Sequence, residues 1–414
     1  MSTLGSWQGI ALLWRDMQRL TPARELSKCL LYRDFGLDLA LPGDRLCPTV
    51  PNRLNYVLWI QDLLDSTGNP ESDEFDPTRE VVGLDVGTGA SCIYPLLGCA
   101  LRNGWKFVAT DIDGKSLEYA RENVRRNKER VGDLGERITV FDGSLDGGDI
   151  FPLEKLGIER LDFTMCNPPF YASIDDMFDS ARQKNLPPSL ACTGTTTEMV
   201  YPGGEVSFVT LMFNQSLQLR SNLGFKNTWY TSMLGKHSSV ESLVPTMKPH
   251  TQNYAITEFK QGSTRRWGVA WNFGDRRPHL AAVRYDSPQL RGLMPFPTEF
   301  EFDAAGDVMS IGEVIDNSLA GEIGPGSGEW TWEPSVSAGW GSVKGNVWSR
   351  AARRAKARGL EMEGISSGVA LGFRVGIKGK EDQSVKVKIR WTRGTDSVLF
   401  ESLCGMIKRK ISGS

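Results

Sequence analysis

The chain has 414 residues, of which 40% are apolar, so it is long enough for two or three domains with sizeable cores. Its 48 basic side chains nearly balance 50 acidic ones, and a formal net charge of −2 does not by itself indicate a nucleic-acid binder. No run of about 18 apolar residues predicts a membrane span, and seven cysteines without a C-x-x-C pair, together with three scattered histidines, predict no metal site.

The first 50 residues are predicted to be helical and locally basic. Arg15 and Arg19 share one face of a helix, and Lys28 lies in the basic stretch that follows. Such a face either binds phosphates or is simply a solvated helix surface, and both interpretations stay open.

A strand followed by a glycine-rich loop is predicted around residue 87. Val81–Val86 is an apolar run, and Gly87-Thr88-Gly89-Ala90-Ser91 follows it directly. Glycines in this position of an open α/β sheet let the backbone approach a ligand closely. Cys92 stands where the dinucleotide pattern G-x-G-x-x-G requires glycine, so a nicotinamide cofactor is disfavoured.

Two more strands are predicted, each ending in polar residues. Residues 106–110 lead to Asp111, which occupies the position of an acid that binds ribose hydroxyls. The alternative is that Asp111 only interacts with the positive end of the next helix. Residues 138–141 form the next strand, and Ser144 behind it is a candidate contact for an adenine ring.

The most informative motif is Asn167-Pro168-Pro169-Phe170, which follows an apolar run over residues 161–165. An amine conjugated to an aromatic ring is a poor nucleophile. If the side-chain oxygen of Asn167 and the carbonyl of Pro168 each accept one amine hydrogen, the lone pair points at an electrophilic methyl group. The prolines lack competing N–H donors, and Phe170 offers a ring face for stacking. Taken alone, the motif fits adenine, cytosine or a glutamine amide, or merely a turn that ends a strand.

Residues 174–204 are predicted to form a long loop after this motif, and they contain Arg182 and Lys184. A long loop beside a site is a lid, a substrate guide or a plain surface excursion. A helical pattern follows, and then strands near 229–234, 254–259 and 266–273 complete a set of seven. This order is the layout of a class I S-adenosylmethionine-dependent methyltransferase, which has a Rossmann-like seven-stranded α/β sheet.

Five sequence blocks in order resemble one family, the methyltransferase-like sixteen family of eukaryotic N6-adenosine methyltransferases that act on U6 spliceosomal small nuclear RNA. The blocks are residues 48–56, 85–98, 165–171, 233–236 and 261–271. The similarity covers roughly residues 25–275 and extends to bacterial enzymes that methylate one adenine of the large-subunit ribosomal RNA. Three departures are residues 1–24, which do not resemble the aromatic-rich start of family members, Asp111, where some relatives have Glu, and His237, where a second basic residue is common.

The resemblance implies roles for individual residues. Asn167, Pro168, Pro169 and Phe170 would hold the target adenine. Arg53 would bind the carboxylate of S-adenosyl-L-methionine, for which the planar guanidinium fork is suited, although a surface charge at a helix start is the alternative. The full set of expected cofactor residues is Arg53, Gly87, Thr88, Gly89, Ser91, Asp111, Ser144 and Asn167. The cations expected to contact RNA are Arg15, Arg19, Lys28, Arg182, Lys184, Lys236, Arg265, Arg266, Arg350, Arg353, Arg354 and Lys356.

The C-terminal third changes in character. Residues 276–300 are polar and contain several prolines, which predicts a linker, and the glycine-rich residues 318–329 predict a flexible insert. Alternating strand patterns and an amphipathic final helix predict a small α+β module over residues 301–414. By resemblance in layout, this module would be a kinase-associated-1-like fold that grips an RNA stem-loop. The basic run that includes Arg350, Arg353, Arg354 and Lys356 would contact phosphates or direct nuclear import, or would be a solvated helix.

Together these features predict an N-terminal helical segment bordering an RNA groove (1–50), a methyltransferase domain (51–275), the linker and the C-terminal module. We expect a monomeric nuclear enzyme, with some presence in the cytoplasm, that methylates N6 of an adenine in structured RNA, with U6 small nuclear RNA as the first candidate. S-adenosyl-L-methionine would be the cofactor and S-adenosyl-L-homocysteine the product, with no metal. The alternatives are a protein-glutamine methyltransferase, a ribosomal-RNA adenine methyltransferase, or a non-catalytic RNA-binding factor with this fold.

Overall fold

The computed structural model describes residues 22–128, 133–146, 148–183, 194–262, 264–358, 368–382 and 384–413. The chain divides into two units. The first contains the described residues up to Ile60, Pro77–Pro249 and Glu258–Asn272, and the second contains Gln61–Asp76, His250–Thr257 and the described residues from Phe273 onward.

All seven strands predicted for the first sheet form. The strands are β1 (Val81–Val86), β2 (Trp105–Asp111), β3 (Ile138–Asp142), β4 (Phe163–Cys166), β5 (Trp229–Leu234), β6 (Asn253–Gln261) and β7 (Thr264–Asn272). Their order across the sheet is β3-β2-β1-β4-β5-β7-β6. The pairs β3/β2, β2/β1, β1/β4 and β4/β5 are parallel, whereas β7 runs antiparallel to β5. The predicted Rossmann-like α/β sheet is therefore confirmed.

The register of the central strands brings the predicted site residues to one edge. Val86, the last residue of β1, pairs with Thr110 of β2 on one side and with Cys166 of β4 on the other. Gly87, Asp111 and Asn167 each come next in the chain, so they emerge at the carboxyl ends of adjacent strands, where open α/β sheets bind ligands.

Helices connect several of these strands. None of the described helices in the chain is long and apolar enough to cross a membrane. Asn123, in the helix that follows β2, is fully buried. Its amide links two distant segments because it donates to the carbonyl oxygens of Ala40 and Ala90 at 3.0 and 2.9 Å. The helices up to residue 247 are α1 (Pro22–Phe35), α2 (Val50–Gly68), α3 (Ile93–Leu101), α4 (Gly114–Asn127), α5 (Leu134–Arg137), α6 (Ile174–Gln183), α7 (Thr196–Met199), α8 (Gly204–Leu219) and α9 (His237–Met247).

The predicted loop over residues 174–204 is wrong in its described parts, because α6 and α7 form there. The hydroxyl of Ser173 accepts the backbone N–H of Asp176 and so caps α6, while Met177 is buried. Thr195 and Glu198 form a reciprocal capping box that starts α7. These short helices were missed because a basic, proline-containing stretch separates them in the sequence.

The second unit contains the predicted α+β module, built on a five-stranded antiparallel sheet of order β8-β12-β11-β10-β9. Its core packs apolar side chains such as Leu319, Phe373, Ile389 and Leu403. The strands are β8 (Glu299–Ala305), β9 (Gly328–Glu333), β10 (Ala338–Val343), β11 (Leu371–Gly379) and β12 (Ser384–Arg393). The helices are α10 (Leu280–Val283), α11 (Val308–Glu322), α12 (Arg350–Ala357) and α13 (Ser397–Ser412).

Two sequence-based expectations for this unit differ from the structure. Most of the glycine-rich stretch 318–329 lies in α11 and β9 and is not a flexible insert. Gly328 allows β9 and β10 to approach closely, because a Cβ at this position would stand 2.2 Å from the carbonyl oxygen of Ser342. Residues 276–300, predicted as a linker, lie within the second unit and include α10. Arg277 in this stretch is only 4% exposed and donates to the carbonyl oxygens of Gly394 and Gln252, as expected for a packed segment.

Candidate active site

A cavity of about 590 Å³ opens at the carboxyl ends of β1, β2 and β4. Its walls include every residue that the sequence predicts for cofactor binding: Arg53, Gly87, Thr88, Gly89, Ser91, Asp111, Ser144 and Asn167. Pro168 and Pro169 also line the cavity, so the glycine loop and the Asn-Pro-Pro turn face one common space.

The glycine loop folds back on β2. The backbone N–H groups of Gly87 and Thr88 both donate to the carbonyl oxygen of Thr110 at 2.9 Å. Gly87 and Gly89 have φ angles of +74° and +63°, a region that side chains with a Cβ rarely occupy. A Cβ at either position would meet no atom within 4 Å, so these glycines are required by backbone conformation and leave open space above the loop.

Asp111 connects the loop to the end of β2. Its carboxylate accepts the N–H of Gly89 at 2.8 Å and that of Asp113 at 2.9 Å, while burial raises its pKa. A carboxylate oxygen can accept more than one hydrogen bond, so Asp111, which lines the cavity, is also able to accept the hydroxyls of a vicinal diol. The next residue, Ile112, lines the same cavity although its apolar side chain is 61% exposed, and no sequence motif predicts it as a site residue.

Asp85 lies fully buried in β1, and neither of its carboxylate oxygens accepts a well-formed hydrogen bond from the described residues. Burial raises the pKa of Asp85 to about 7, and the charge of Asp111 acts in the same direction, whereas the Thr88 hydroxyl and Arg53 favour the charged form. A carboxyl that binds its proton more tightly in the folded state stabilises the fold below its unfolded pKa, and this stabilisation is lost as pH rises toward 7.

We therefore expect Asp85→Asn to gain stability relative to the wild type as pH rises. The neutral amide has no proton to lose, so the difference in thermal midpoint should grow by at least about 2 °C between pH 5.5 and pH 8. Differential scanning fluorimetry of the ligand-free protein measures it. The control is Asp286→Asn, which changes an exposed carboxylate. A constant difference for Asp85→Asn across this pH range would show that Asp85 is charged throughout.

The end of β4, directly before the Asn-Pro-Pro turn, is positioned by buried tyrosine and threonine hydroxyls. The hydroxyl of Tyr56 accepts the N–H of Cys166 at 3.3 Å and lies 2.7 Å from the hydroxyl of Thr231. Cys166 is buried, and burial raises the pKa of its thiol well above the usual value, as expected for a packed cysteine and not for a nucleophile.

Asn167 presents a free acceptor at the cavity wall. Its side-chain oxygen Oδ1 is buried and has no hydrogen-bond partner among the described residues. An unsatisfied buried amide oxygen costs roughly 1–3 kcal/mol, so this oxygen is available to accept a hydrogen bond from a ligand or a water in the cavity.

Phe170 differs from the other three residues of the turn because it is not part of the cavity wall. The guanidinium carbon of Arg266 lies 5.3 Å from the centre of its ring. A Cβ on Gly235 would come within 2.9 Å of the ring, so the backbone of residue 235 packs closely against Phe170.

Arg53 reaches the cavity from α2. Its Nη1 donates to the hydroxyl of Tyr94 at 2.8 Å and to the sulfur of Met233 at 3.5 Å. Tyr94, in the first turn of α3, also lines the cavity and was missed by the sequence analysis because a lone tyrosine in an apolar helix gives no distinctive signal.

The cations predicted to bind RNA fall into different settings. Lys28 pairs with Glu25 at 2.9 Å, Arg265 with Glu258 at 3.1 Å, and Lys236 with Asp176 at 3.6 Å. Arg266 is half-buried beside Phe170, and burial lowers its pKa. Arg350, Arg353 and Arg354 are exposed on α12. Arg15, Arg19 and Lys184 lie outside the described residues, as do the side chains of Arg182 and Lys356.

The sheet order with an antiparallel seventh strand, the glycine loop, the acid at the end of β2 and the Asn-Pro-Pro turn define a class I S-adenosylmethionine-dependent methyltransferase. Residues 16–275 match the Methyltransf_10 family, described as RNA methyltransferase, and the chain belongs to this family.

Several relatives extend this match. A Schizosaccharomyces pombe protein named U6 small nuclear RNA (adenine-(43)-N(6))-methyltransferase is 34% identical over 389 residues, which is 94% of this chain and 92% of that protein. The Homo sapiens RNA N(6)-adenosine-methyltransferase METTL16 is 40% identical over 273 residues, and the match spans 64% of this chain but 44% of the human protein. Among solved structures, the hMettl16 catalytic domain in complex with MAT2A 3'UTR hairpin 1 is 38% identical, with a TM-score of 0.51, and covers 61% of this chain and 79% of that one.

Proposed function

We propose that this protein transfers a methyl group from S-adenosyl-L-methionine to N6 of an adenine in structured RNA, with U6 small nuclear RNA as the substrate. The observation that carries the proposal is the buried, unpartnered Oδ1 of Asn167 at the wall of the cavity. The S. pombe relative, which matches over nearly the whole of both chains, supports U6 RNA as the substrate.

The residues of the cavity suit the cofactor. Arg53 offers a guanidinium to a carboxylate, Asp111 offers carboxylate oxygens to ribose hydroxyls, and Ile112 offers an apolar surface to a purine ring. The glycine loop leaves room for the chain that joins these parts. When bound, the cofactor supplies an electrophilic methyl group on a sulfonium.

The Asn-Pro-Pro turn activates the acceptor by geometry. In the proposed complex, Oδ1 of Asn167 and the carbonyl oxygen of Pro168 accept the two hydrogens of the adenine amine. The nitrogen then becomes more tetrahedral, and its lone pair is directed at the methyl group. Pro168 and Pro169 have no N–H groups that would occupy these acceptors.

The target adenine has to leave its base stack to reach this turn. Extrusion of a base costs a few kcal/mol and least for an unpaired base, so we propose an adenine in a loop or bulge. Phe170 would then stack on the displaced base. A nuclear localisation is part of the same proposal, and it is supported by the S. pombe relative, which is named for a small nuclear RNA.

Arg53→Gln is expected to weaken cofactor binding. Loss of a charge-assisted contact to the carboxylate should raise the dissociation constant for S-adenosyl-L-methionine about 10- to 100-fold. Isothermal titration calorimetry measures the change, with Arg121→Gln, an exposed arginine of α4, as the matched control. Unchanged affinity in Arg53→Gln would remove Arg53 from the cofactor site.

A labelling experiment tests the reaction class. The protein is incubated with methyl-labelled S-adenosyl-L-methionine and either total RNA or total protein from the same cells. Label in RNA alone supports the proposal. Label in protein alone would favour a protein-glutamine methyltransferase, because a glutamine amide presents the same unreactive lone pair. Tight cofactor binding without label in either pool would favour a non-catalytic RNA-binding factor.

A further inference from the structure

Glu205 is an acidic side chain buried beside the Asn-Pro-Pro-Phe turn. It lies in the first turn of α8 and is only 2% exposed. One carboxylate oxygen accepts the N–H of Gly235 at 2.6 Å. The other accepts the N–H of Lys236 at 3.0 Å and the hydroxyl of Ser239 at 2.5 Å. Both oxygens are therefore used to fix the segment between β5 and α9.

This segment is the one that packs against Phe170. A Cβ on Gly235 would stand 2.9 Å from Cδ1 of Phe170, closer than a real Cβ contact. Only glycine can approach the ring this way, and the approach holds only while the backbone of residue 235 stays in place. The carboxylate of Glu205 provides that restraint.

A second contact from the same helix start reaches the turn. Gly204, which precedes Glu205, has a φ of +68°, and a Cβ there would lie 3.3 Å from the carbonyl oxygen of Phe170. The backbone of Tyr171 bonds to the segment that leads into α8, since its N–H donates to the carbonyl oxygen of Met199 and its carbonyl accepts the N–H of Tyr201, both at 3.0 Å. The start of α8 thus acts on Phe170 in two ways. Gly204 packs against the backbone of Phe170, and Glu205 holds Gly235, which packs against the Phe170 ring.

The charge of Glu205 is balanced locally. Burial raises the pKa of its carboxyl, while Ser239, the two backbone N–H groups and the charge of Lys236 favour the carboxylate. The carboxylate also favours the charged form of Arg266, the cation 5.3 Å from the centre of the Phe170 ring. Glu205 therefore bonds to the backbone of Gly235 and favours the charged form of Arg266, and these two residues both lie beside the ring.

We propose that Glu205 is a positioning residue that fixes the Phe170 ring where the acceptor base stacks. This role rests on the proposed function, because it assigns the ring to the base. It differs from a plain helix-capping role, in which Glu205 would stabilise the start of α9 without any effect that depends on Phe170.

The first test compares Glu205→Gln with the wild type on a hairpin RNA that contains the target adenine. The amide places an N–H₂ donor against one of the N–H groups that the carboxylate accepts. We expect turnover to fall about 10- to 100-fold while the dissociation constant for the cofactor is unchanged. Glu241→Gln, an exposed glutamate on α9, is the matched control and should retain turnover. Gly235→Ala, which pushes a Cβ into the ring, should reproduce the loss if Glu205→Gln fails to fold.

A double-mutant cycle with Phe170→Leu separates positioning from general stability. If Glu205 acts through the ring, Glu205→Gln should cost far less turnover when the ring is already absent. Equal losses in both backgrounds, full turnover in Glu205→Gln, or loss of cofactor binding would each overturn the proposal. Absence of RNA methylation by the wild type would instead contradict the proposed function itself, so the two failures are distinguishable.

Discussion

Replacement of Asn167 by Ala is expected to abolish methyl transfer to RNA while cofactor binding survives. The substitution removes the buried Oδ1 acceptor at the cavity wall but leaves Arg53 and Asp111 in place. Loss of one preorganised hydrogen-bonding group in an active site costs roughly 10²- to 10³-fold in turnover. Single-turnover rates with labelled cofactor, together with calorimetric titration of the cofactor, give both quantities on one preparation.

The matched control for Asn167→Ala is Asn103→Ala, which truncates an exposed asparagine before β2. Its methylation rate should equal that of the wild type. A fully active Asn167→Ala variant would contradict the assignment of the turn. A variant that also lost cofactor affinity would place Asn167 in the cofactor pocket instead of at the acceptor amine.

Reversal of charge at Arg353 and Arg354 is expected to weaken RNA binding without affecting the cofactor. Both side chains are exposed on α12, and Ala352 on the same helix is buried. If the two arginines contact phosphates, the Arg353→Glu, Arg354→Glu variant should lose affinity, and the slope of log affinity against log salt should flatten by about 1 to 2. Filter binding of a hairpin RNA at several salt concentrations measures both effects.

The charge-matched control is Lys408→Glu, Lys410→Glu, which reverses two exposed cations on α13 of the same unit. An unchanged salt slope for the α12 variant would show that α12 is a solvated helix. A slope that flattened equally in the control would show that only net charge matters and that α12 is not a specific RNA contact.

The sequence was sufficient to predict the sheet and the edge where ligands bind. The apolar runs of β1 and β4 are nearly continuous because these strands are buried on both faces, and such runs are readily recognised. Gly87, Asp111 and Asn167 lie at the carboxyl ends of three strands that are neighbours in the sheet, so local pattern and tertiary arrangement agree.

Elements set by long-range contacts were harder to predict. The capping box of α7 joins Thr195 and Glu198 within the chain, but Glu198 also accepts the N–H of Leu46, a contact no local pattern can indicate. The glycine-rich sequence around Gly328 predicts a loop because glycine favours loops, whereas the structure requires glycine there because the neighbouring strand lies so close.

The contacts that decide the roles of single side chains also could not be predicted from the sequence. Glu205 reads as an ordinary acid at a helix start, and only the fold shows its carboxylate beneath Gly235 and Lys236. The sequence shows which side chains are cations, but it does not show which of them are paired and which are exposed. Arg265 lies in an ion pair with Glu258, whereas Arg353 is exposed, and this difference depends on which residues the fold brings together.

The most direct test of the central claim is the position of the methyl group in RNA. Total small nuclear RNA is incubated with the protein and labelled S-adenosyl-L-methionine, and modified nucleosides are mapped in each RNA. We predict N6-methyladenosine at one unpaired adenine of U6 RNA, and none with Asn167→Ala. Label at another base or in no small nuclear RNA, or equal N6-methylation by the Asn167→Ala variant, would contradict this account.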